Sequence, residues 1–181
     1  MPHIFDPEKA QILESEWRKR VFPAEKIVEI IGGIRGLKKN VAFDIGAGTG
    51  YLTLPLSKIF KKVYAVEISE KMVYGLKKKL EEEKILNVGI ILTEKPPKVD
   101  FKVDLVLFSN VLHEMEDPVG YLRWAGRADY ILVAEWKKER MKYGPPFEER
   151  ISMEELQDMC DFEFVLVDEL PYHYIVVMKS K

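Results

Sequence analysis

A glycine-rich segment between two apolar stretches carries the clearest chemical signal in the sequence. Gly46, Gly48 and Gly50 follow Asp44 at alternate positions. Glycines spaced in this way let the backbone turn tightly and let a ligand lie against main-chain atoms. The apolar run 41–45 predicts a strand that ends at this turn, and α/β proteins bind nucleotide cofactors at the carboxyl ends of strands. The segment therefore predicts a site for a nucleotide-containing ligand.

The spacing of the glycines also restricts the kind of nucleotide. The dinucleotide fingerprint G-x-G-x-x-G requires a further glycine, but Tyr51 and Thr53 occupy the two positions where it could stand. An acidic residue followed by three alternating glycines suits a ligand without a pyrophosphate, whose amino-acid moiety lies over the turn. Asp44 is then expected near the ammonium group of that ligand, either directly or through water.

A second acidic residue, Glu67, ends the next apolar run, 63–67. A carboxylate at the end of a second strand can accept hydrogen bonds from both ribose hydroxyls, and it repels a cofactor with a 2′-phosphate. An ordinary tight loop would explain the glycines alone. The combination with Glu67 favours a binding site.

The elements around these residues alternate between strand and helix. The predicted strands are 41–45, 63–67, 88–92, 104–108, 130–135, 162–168 and 172–178. The predicted helices are 6–21 with Ile12 and Leu13 on its apolar face, 24–31, 51–60, 70–83, 118–126 and 152–159. Alternation of this kind predicts a parallel sheet covered on both faces. A short link joins the last two strands, so the final strand is expected to be antiparallel.

Length and composition agree with one globular domain, residues 1–181, with a helical extension at 1–36 that is a candidate lid. The chain has 181 residues, of which 47% are hydrophobic, and this is too apolar for intrinsic disorder. The formal net charge of −2 disfavours a protein that binds nucleic acid mainly through phosphate contacts.

The single cysteine, Cys160, excludes an intrachain disulfide and a thiolate metal cluster from one chain. We expect a cytoplasmic protein without a metal site. The N-terminal residues lack the pattern of a secretory signal, and no apolar run is long enough to span a bilayer.

Three motifs resemble class I S-adenosylmethionine-dependent methyltransferases: DIGAGTG (44–50), YAVEIS (64–69) and VDLVLFSNVLHEMEDP (103–118). The segment 131–152 matches more loosely. The chain looks nearest to the small methyltransferases related to ubiquinone and menaquinone biosynthesis. This resemblance implies an α/β, Rossmann-like three-layer sandwich. Its seven-stranded, mostly parallel sheet would have the order 3-2-1-4-5-7-6, with the last strand antiparallel. It also implies S-adenosyl-L-methionine as the cofactor and methyl transfer as the activity.

The resemblance also assigns parts of the cofactor to positions in this sequence. It places the methionine moiety near the glycine turn, the ribose on Glu67, and the adenine near Ile68 and the loop after the third strand. The predicted cofactor-binding residues are Asp44, Gly46, Ala47, Gly48, Gly50, Glu67, Ile68, Thr93, Glu94 and Asn110.

Fewer residues are candidates for the acceptor side. His113 is a possible general base, since an imidazole titrates near neutral pH, although it could instead cap a neighbouring loop. Trp136 and the stiff segment 143–147 could form a wall of the acceptor pocket, or they could serve as a rigid connector.

The function predicted from these features is methyl transfer to a small-molecule acceptor. A protein that binds the cofactor without transferring the methyl group remains an alternative. So does an RNA-modifying methyltransferase, which would need a basic surface at the pocket mouth. The local cluster that could supply it is Lys137, Lys138, Arg140 and Lys142. The missing dinucleotide glycine argues against a nicotinamide-dependent oxidoreductase. The sequence identifies neither the acceptor nor the oligomeric state.

Overall fold

A twisted central sheet organises the computed structural model, which describes residues 6–9 and 15–179. Within these residues the chain forms seven strands. They are β1 (Val41–Ile45), β2 (Lys62–Glu67), β3 (Val88–Leu92), β4 (Val103–Ser109), β5 (Ala128–Trp136), β6 (Glu163–Glu169) and β7 (His173–Lys179). Strand boundaries lie within two residues of those predicted from the apolar runs.

Six α-helices connect these strands or precede them in the described part of the chain. They are α1 (Glu16–Val21), α2 (Ala24–Gly33), α3 (Thr53–Ser57), α4 (Glu70–Glu82), α5 (Pro118–Ala125) and α6 (Met153–Asp158). Short 3₁₀ turns lie at Pro7–Lys9, Leu112–Glu114 and Phe147–Glu149. The predicted first helix, 6–21, cannot be followed throughout, because Ile12 and Leu13 lie outside the described residues.

The strand order is β3-β2-β1-β4-β5-β7-β6, as the resemblance implies. Strands β1 to β5 pair in parallel, whereas β7 runs antiparallel to both β5 and β6. The predicted antiparallel final strand is therefore confirmed. Since the order reverses between β1 and β4, the carboxyl ends of these two strands flank a crevice of the kind that binds ligands in open α/β sheets.

Alternate residues of β4 supply the cores on the two faces of the sheet. Val106 and Phe108 pack with the layer that includes α5 and α6, while Leu105 and Leu107 pack with the layer that includes α2 and α3. This burial on both faces explains the uninterrupted apolar run of a central parallel strand. The two layers hold the carboxyl ends of the strands in fixed positions.

Helix α3 is shorter than the predicted helix at 51–60. Pro55 lacks a backbone N–H and is tolerated only near the start of a helix. The Ser57 hydroxyl donates to the carbonyl of Leu54 at 2.7 Å, and a bond of this type competes with helix continuation. By contrast, the predicted helix at 152–159 begins as expected, with a capping box of reciprocal bonds between Ser152 and Glu155.

Candidate functional site

A cavity of about 770 Å³ opens at the carboxyl ends of the parallel strands. This volume lies within the usual range of ligand pockets, roughly 300–1,000 Å³. It is lined by nine of the ten predicted cofactor residues and by the predicted base: Asp44, Gly46, Ala47, Gly48, Glu67, Ile68, Thr93, Glu94, Asn110 and His113. Positions far apart in the sequence are thus brought together around one space.

The first half of the glycine turn packs directly against the loop after β4. The backbone N–H groups of Gly46 and Ala47 donate to the carbonyl of Val66 at 2.9 and 3.0 Å. Gly46 has a φ of +71°, and a Cβ placed there would lie 2.3 Å from a methyl carbon of Val111. Only glycine fits this position, because any side chain would be both strained and in collision.

Gly50 is the one predicted cofactor residue that does not line the cavity. It is buried with a φ of +93°, and a Cβ would lie within 2.7 Å of methyl carbons of both Leu54 and Leu76. Its role in this structure is to let the turn approach α3 and α4 closely. The third glycine of the motif therefore contributes to packing.

Asp44 lies beneath the glycine turn and is almost completely buried. Its carboxylate accepts a hydrogen bond from the Thr53 hydroxyl at 2.6 Å. Burial raises the pKa of Asp44 from 3.8 to about 6, the Thr53 bond opposes that shift, and the charge of Glu67 adds to it. An anionic Asp44 at neutral pH therefore costs folding free energy, and a cationic ligand beside it would offset that cost.

We expect Asp44→Asn to stabilise the ligand-free protein at pH 7.5 by about 1–3 kcal/mol. Because the folded-state pKa lies above the unfolded value, the cost of ionising Asp44 is absent below pH 3.8. It grows as pH rises to about 6 and is constant above that. Urea unfolding at pH 4.5 and pH 7.5 measures the effect, with the exposed Asp158→Asn as the matched control. A gain independent of pH, or a loss of stability at pH 7.5, would contradict this assignment.

Glu67 joins the glycine turn to the end of β2. One carboxylate oxygen accepts from the N–H of Gly48 at 2.7 Å, and the other accepts from Ile68 and Ser69 at 2.9 Å each. A carboxylate offers about four acceptor sites, so three backbone bonds leave one of them for a ligand. Two ribose hydroxyls could both bind only if one of these backbone bonds, such as that from Gly48, were shared or displaced.

The far end of the cavity is apolar with acidic groups at its edge. Ile68 exposes 46% of its surface at the lining, which is unusual for a large aliphatic side chain. The Thr93 N–H donates to the carbonyl of Glu67 at 2.9 Å, and this bond fixes the loop that carries Glu94. Burial, helped by the charge of Glu94, raises the pKa of the nearby Tyr121 to about 12. A planar apolar ring suits this end.

Asn110 occupies the first position after β4 in a left-handed conformation. Its φ is +53°, and its N–H donates to the carbonyl of Ala134 at 2.8 Å. Both polar atoms of its side chain are buried and have no hydrogen-bond partner among the described residues. A buried amide without partners is costly, so this side chain is available for a polar ligand in the cavity.

The buried carboxylate of Glu135, at the end of β5, holds the loop after β4 in place. One of its oxygens accepts from the N–H groups of Val111 and Leu112 at 2.8 Å each, and the other lies 2.7 Å from Nδ1 of His113. Glu135 is only 1% exposed. Sequence reasoning did not single out this residue, although its place at the end of the strand beside β4 would have suggested it.

The same contact controls the protonation of His113. Burial acts most strongly and lowers its pKa, but the combined effect of Glu135, Glu114 and Glu149 is larger and the net pKa is raised. The Nδ1 of the ring faces Glu135, while Nε2 lies 3.6 Å from a carboxylate oxygen of Glu114. His113 therefore fastens the loop, and it also belongs to the cavity lining. Its role as a general base stays a prediction.

A loop after β5 forms the opposite wall of the cavity, where Trp136, Gly144 and Pro145 contribute to the lining. The Arg150 guanidinium is almost fully buried and donates to four main-chain carbonyls of this loop. The carbonyls belong to Lys137, Glu139, Tyr143 and Pro145, at distances of 2.7 to 3.3 Å. The segment 143–147 is therefore both a wall and a rigid connector, so the two alternatives raised by the sequence are compatible.

Helix α1 covers the cavity from the N-terminal side. The Trp17 ring packs 4.8 Å from Tyr143, and Arg18 reaches the cavity lining. The Tyr51 hydroxyl donates to the carbonyl of Phe22 at 2.8 Å and accepts from the N–H of Ala24. The N-terminal segment thus contacts both the glycine turn and the opposite wall. Its role as a lid stays a prediction.

Much of the basic cluster that the sequence suggested for the pocket mouth is engaged with other side chains, and none of its members lines the cavity. Lys137 and Lys138 form ion pairs with Glu169 and Glu155 at 2.6 and 2.5 Å. The Lys142 ammonium lies 5.6 Å from the Tyr143 ring centroid. Among the described residues, no group of His, Cys, Asp and Glu is arranged to hold a metal ion, and no helix is long and apolar enough to cross a membrane.

Known methyltransferases are similar to this chain in architecture and, more distantly, in sequence. The family profile described as "Methyltransferase domain" matches residues 43–128. A crystal structure of an S-adenosylmethionine-dependent methyltransferase from Aquifex aeolicus is 30% identical with a TM-score of 0.85, covering 98% of this chain and 100% of that one. Magnesium protoporphyrin IX methyltransferase from Synechocystis, solved with S-adenosylhomocysteine, has a TM-score of 0.74 at 15% identity. That match covers 100% of this chain and 90% of the other, and it shows the fold alone.

A curated relative is similar over a shorter region. The probable ribosomal RNA small subunit methyltransferase A of Methanosphaera stadtmanae is 43% identical over 79 residues. That match covers 43% of this chain and 28% of the relative. The chain spans less than half the length of the first curated relatives it matches.

Proposed function

Since the chain belongs to the class I S-adenosylmethionine-dependent methyltransferases, we propose that it methylates a small molecule bound beside the cofactor in the 770 Å³ cavity. We treat residues 1–181 as one functional domain with the N-terminal segment as its lid. The narrower likeness to the quinone-biosynthesis group and the cytoplasmic location stay predictions from the sequence.

The residues at the cavity fit this cofactor. The turn at Gly46 presents main-chain atoms without a side chain, and Asp44 offers a buried carboxylate for an ammonium group. The unpartnered amide of Asn110 can donate and accept at the same ligand, and Glu67 has an acceptor site left for a ribose hydroxyl. When bound, S-adenosylmethionine supplies an electrophilic methyl group on a sulfonium. We propose that the other predicted residues also surround the cofactor. Gly50 would contribute indirectly, because it lets the turn pack closely against α3 and α4.

His113 is our candidate for removing a proton from the acceptor. The carboxylate of Glu135 orients Nδ1, which leaves Nε2 as the site that accepts a proton when the ring is neutral. Because the pKa of His113 is raised, the neutral form becomes more populated as pH increases through that value. Methyl transfer that depends on this base should therefore accelerate with pH.

The charges of the residues near the cavity favour a small-molecule acceptor over RNA. Two of the four cationic residues that the sequence suggested for its mouth, Lys137 and Lys138, form ion pairs with Glu169 and Glu155. RNA binding depends on free positive charges facing phosphates, so this surface offers less than its sequence suggested. The ribosomal RNA methyltransferase among the relatives makes RNA the second candidate, and a ribosomal RNA fragment belongs in the acceptor screen.

Calorimetric titration with S-adenosylmethionine, S-adenosylhomocysteine and NAD tests the cofactor assignment. We expect both adenosyl ligands to bind and Glu67→Ala to weaken them roughly 100-fold or more, because the charge-assisted bond to the ribose is lost and the Gly48 N–H loses its acceptor. Glu67→Gln should retain the fold while weakening binding, and the exposed Glu70→Ala should bind like the wild type. Binding of NAD alone would overturn the assignment.

Methyl transfer itself is then measured as S-adenosylhomocysteine release with panels of small molecules and with the RNA fragment. Turnover of a small molecule supports the proposal. Turnover of RNA alone would replace it with the second candidate. Tight cofactor binding without any turnover would favour the cofactor-binding protein considered from the sequence.

A further inference from the structure

The amino ends of the central parallel strands carry a basic surface that the proposed function does not use. Lys39 precedes β1 and Lys61 precedes β2, and the Lys61 N–H donates to the carbonyl of Lys39 at 3.0 Å. Lys62 begins β2, and Lys102 precedes β4, which is the other neighbour of β1. Because adjacent strands lie about 4.8 Å apart, these four lysines are gathered along one edge of the sheet.

Most of this positive charge is not neutralised by carboxylates. Lys102 forms an ion pair with Asp129 at 3.1 Å. The other three lysines form no ion pair with any residue that the structure describes. With Asp129 and the nearby Asp100 both counted, an excess of positive charge remains at this edge.

Two aromatic side chains lie beside the lysines. The ring of Tyr64 stacks on that of Phe101, with 5.3 Å between their centroids and 26° between their planes. The ammonium nitrogen of Lys62 lies 5.4 Å from the centroid of Tyr64. Phe101 is 42% exposed, although it directly precedes a buried strand. Cationic groups and aromatic rings are therefore interleaved on one surface.

This surface stays open because a loop, and not a helix, joins β3 to β4. On the same face of the sheet, α5 and α6 pack over the core that contains β4 and β5. Gly89 of β3 lies below Tyr64, and a Cβ there would be only 3.1 Å from a carbon of the Tyr64 ring. The glycine thus lets this ring lie close against the sheet. Packing fixes the ring pair, while Phe101 remains accessible for stacking.

The opposite end of the sheet has the opposite charge. Seven acidic residues line the cavity at the carboxyl ends of the strands, against three lysine or arginine residues. The formal net charge of −2 therefore conceals a separation of charge between the two ends. Residues of a strand rise about 3.3 Å each, which places Lys39 roughly 20 Å from the glycine turn. A polyanion at the amino edge would avoid the acidic cavity.

We propose that this amino-edge surface binds single-stranded RNA. Its members are Lys39, Lys61, Lys62, Tyr64, Phe101 and Lys102. Proteins that hold single strands combine a positively charged track for the phosphates with aromatic rings on which bases stack. Bases in single-stranded RNA are free to stack on a protein ring, whereas those of a duplex are stacked on each other. The RNA is docked here and not methylated here, so the inference does not rest on the proposed function.

Fluorescence anisotropy with labelled decauridylate tests the surface in the full chain without cofactor. We expect wild type to bind with a Kd of roughly 1–100 μM near physiological salt. The triple variant Lys39→Gln/Lys61→Gln/Lys62→Gln should reduce the slope of log K against log salt by about 2, because each phosphate contact contributes about 0.7. Phe101→Leu keeps an apolar side chain but removes the ring, and it should weaken binding roughly 5-fold or more.

A second triple variant, Lys77→Gln/Lys78→Gln/Arg140→Gln, removes the same number of exposed charges elsewhere and should keep the wild-type slope. Thermal unfolding checks that each variant is folded, and the lysine variants decide the case if Phe101→Leu is not. Absence of binding to wild type, equal slopes in the two triple variants, or full affinity in folded Phe101→Leu overturns the inference. Tighter binding of decathymidylate DNA, an RNA duplex or phosphatidylglycerol vesicles than of decauridylate also overturns it and assigns the surface to that partner.

Discussion

Gly46→Ala is expected to reduce S-adenosylmethionine affinity roughly 100-fold, equivalent to about 2.8 kcal/mol. The added methyl group would lie 2.3 Å from a methyl carbon of Val111, and the residue would be held at a φ of +71°. Val111 cannot move aside easily, because its N–H is bound to the buried carboxylate of Glu135. The turn must therefore shift away from the position in which its main chain meets the cofactor.

The same change should lower the free energy of unfolding by about 2–5 kcal/mol, since left-handed strain and overpacking add together. Calorimetric titration and urea unfolding measure the two effects. Gly32→Ala in α2 is the matched control, because a Cβ there meets nothing within 4 Å and the glycine is helical. Full cofactor affinity in Gly46→Ala would show that the turn is not the binding surface.

Glu135→Ala is expected to cause the largest loss of stability, about 3–5 kcal/mol. Removing the carboxylate leaves the N–H groups of Val111 and Leu112 and the ring of His113 without their buried partner. For a chain of this size, such a loss lowers Tm by roughly 6–20 °C. Thermal unfolding measures the effect, and the exposed Glu163→Ala on β6 should remain within about 0.5 kcal/mol of wild type.

Glu135→Gln separates charge from shape at the same position. The amide can still accept from the loop, but the negative charge that raises the pKa of His113 is removed, so that pKa should fall. The pair of His113 and Glu135 adds to the free energy of unfolding at pH values below 6.5, the pKa of histidine in the unfolded state. This stabilisation is lost as the pH rises through the raised pKa of His113 in the folded state. An NMR titration of His113 that is identical in wild type and Glu135→Gln would contradict this coupling.

The sequence predicted the sheet well because most of its strands are apolar runs separated by turn residues, whereas the edge strand β6 alternates between exposed and half-buried residues. Asp44 and Glu67 were located because strand ends in a parallel sheet meet at one edge, which makes their position independent of side-chain detail. The contribution of Gly50 could not be anticipated, since it depends on how closely Leu54 and Leu76 approach.

Contacts between residues that are far apart in the chain could not be predicted from local sequence patterns. The partners of Glu135 belong to a loop that precedes it by more than twenty residues. Arg150 donates to main-chain carbonyls, and every residue type has such a carbonyl, so the sequence does not indicate which ones it binds. The sequence suggested that the N-terminal helix could act as a lid, but it did not show that Arg18 would line the cavity.

The attachment of the loop after β5 through Arg150 has an evolutionary consequence. Main-chain carbonyls are present whatever the residue type, so a single guanidinium can hold the segment while most side chains along it are exchanged. The cofactor half of the cavity depends on β1, β2 and β4, none of which supplies a carbonyl to Arg150. Under the proposed function, with the acceptor against this loop, we expect substitutions from Lys138 to Phe147 to change the molecules that are recognised while the donor of the methyl group stays the same. Selection for a new acceptor is then expected to act on this stretch first.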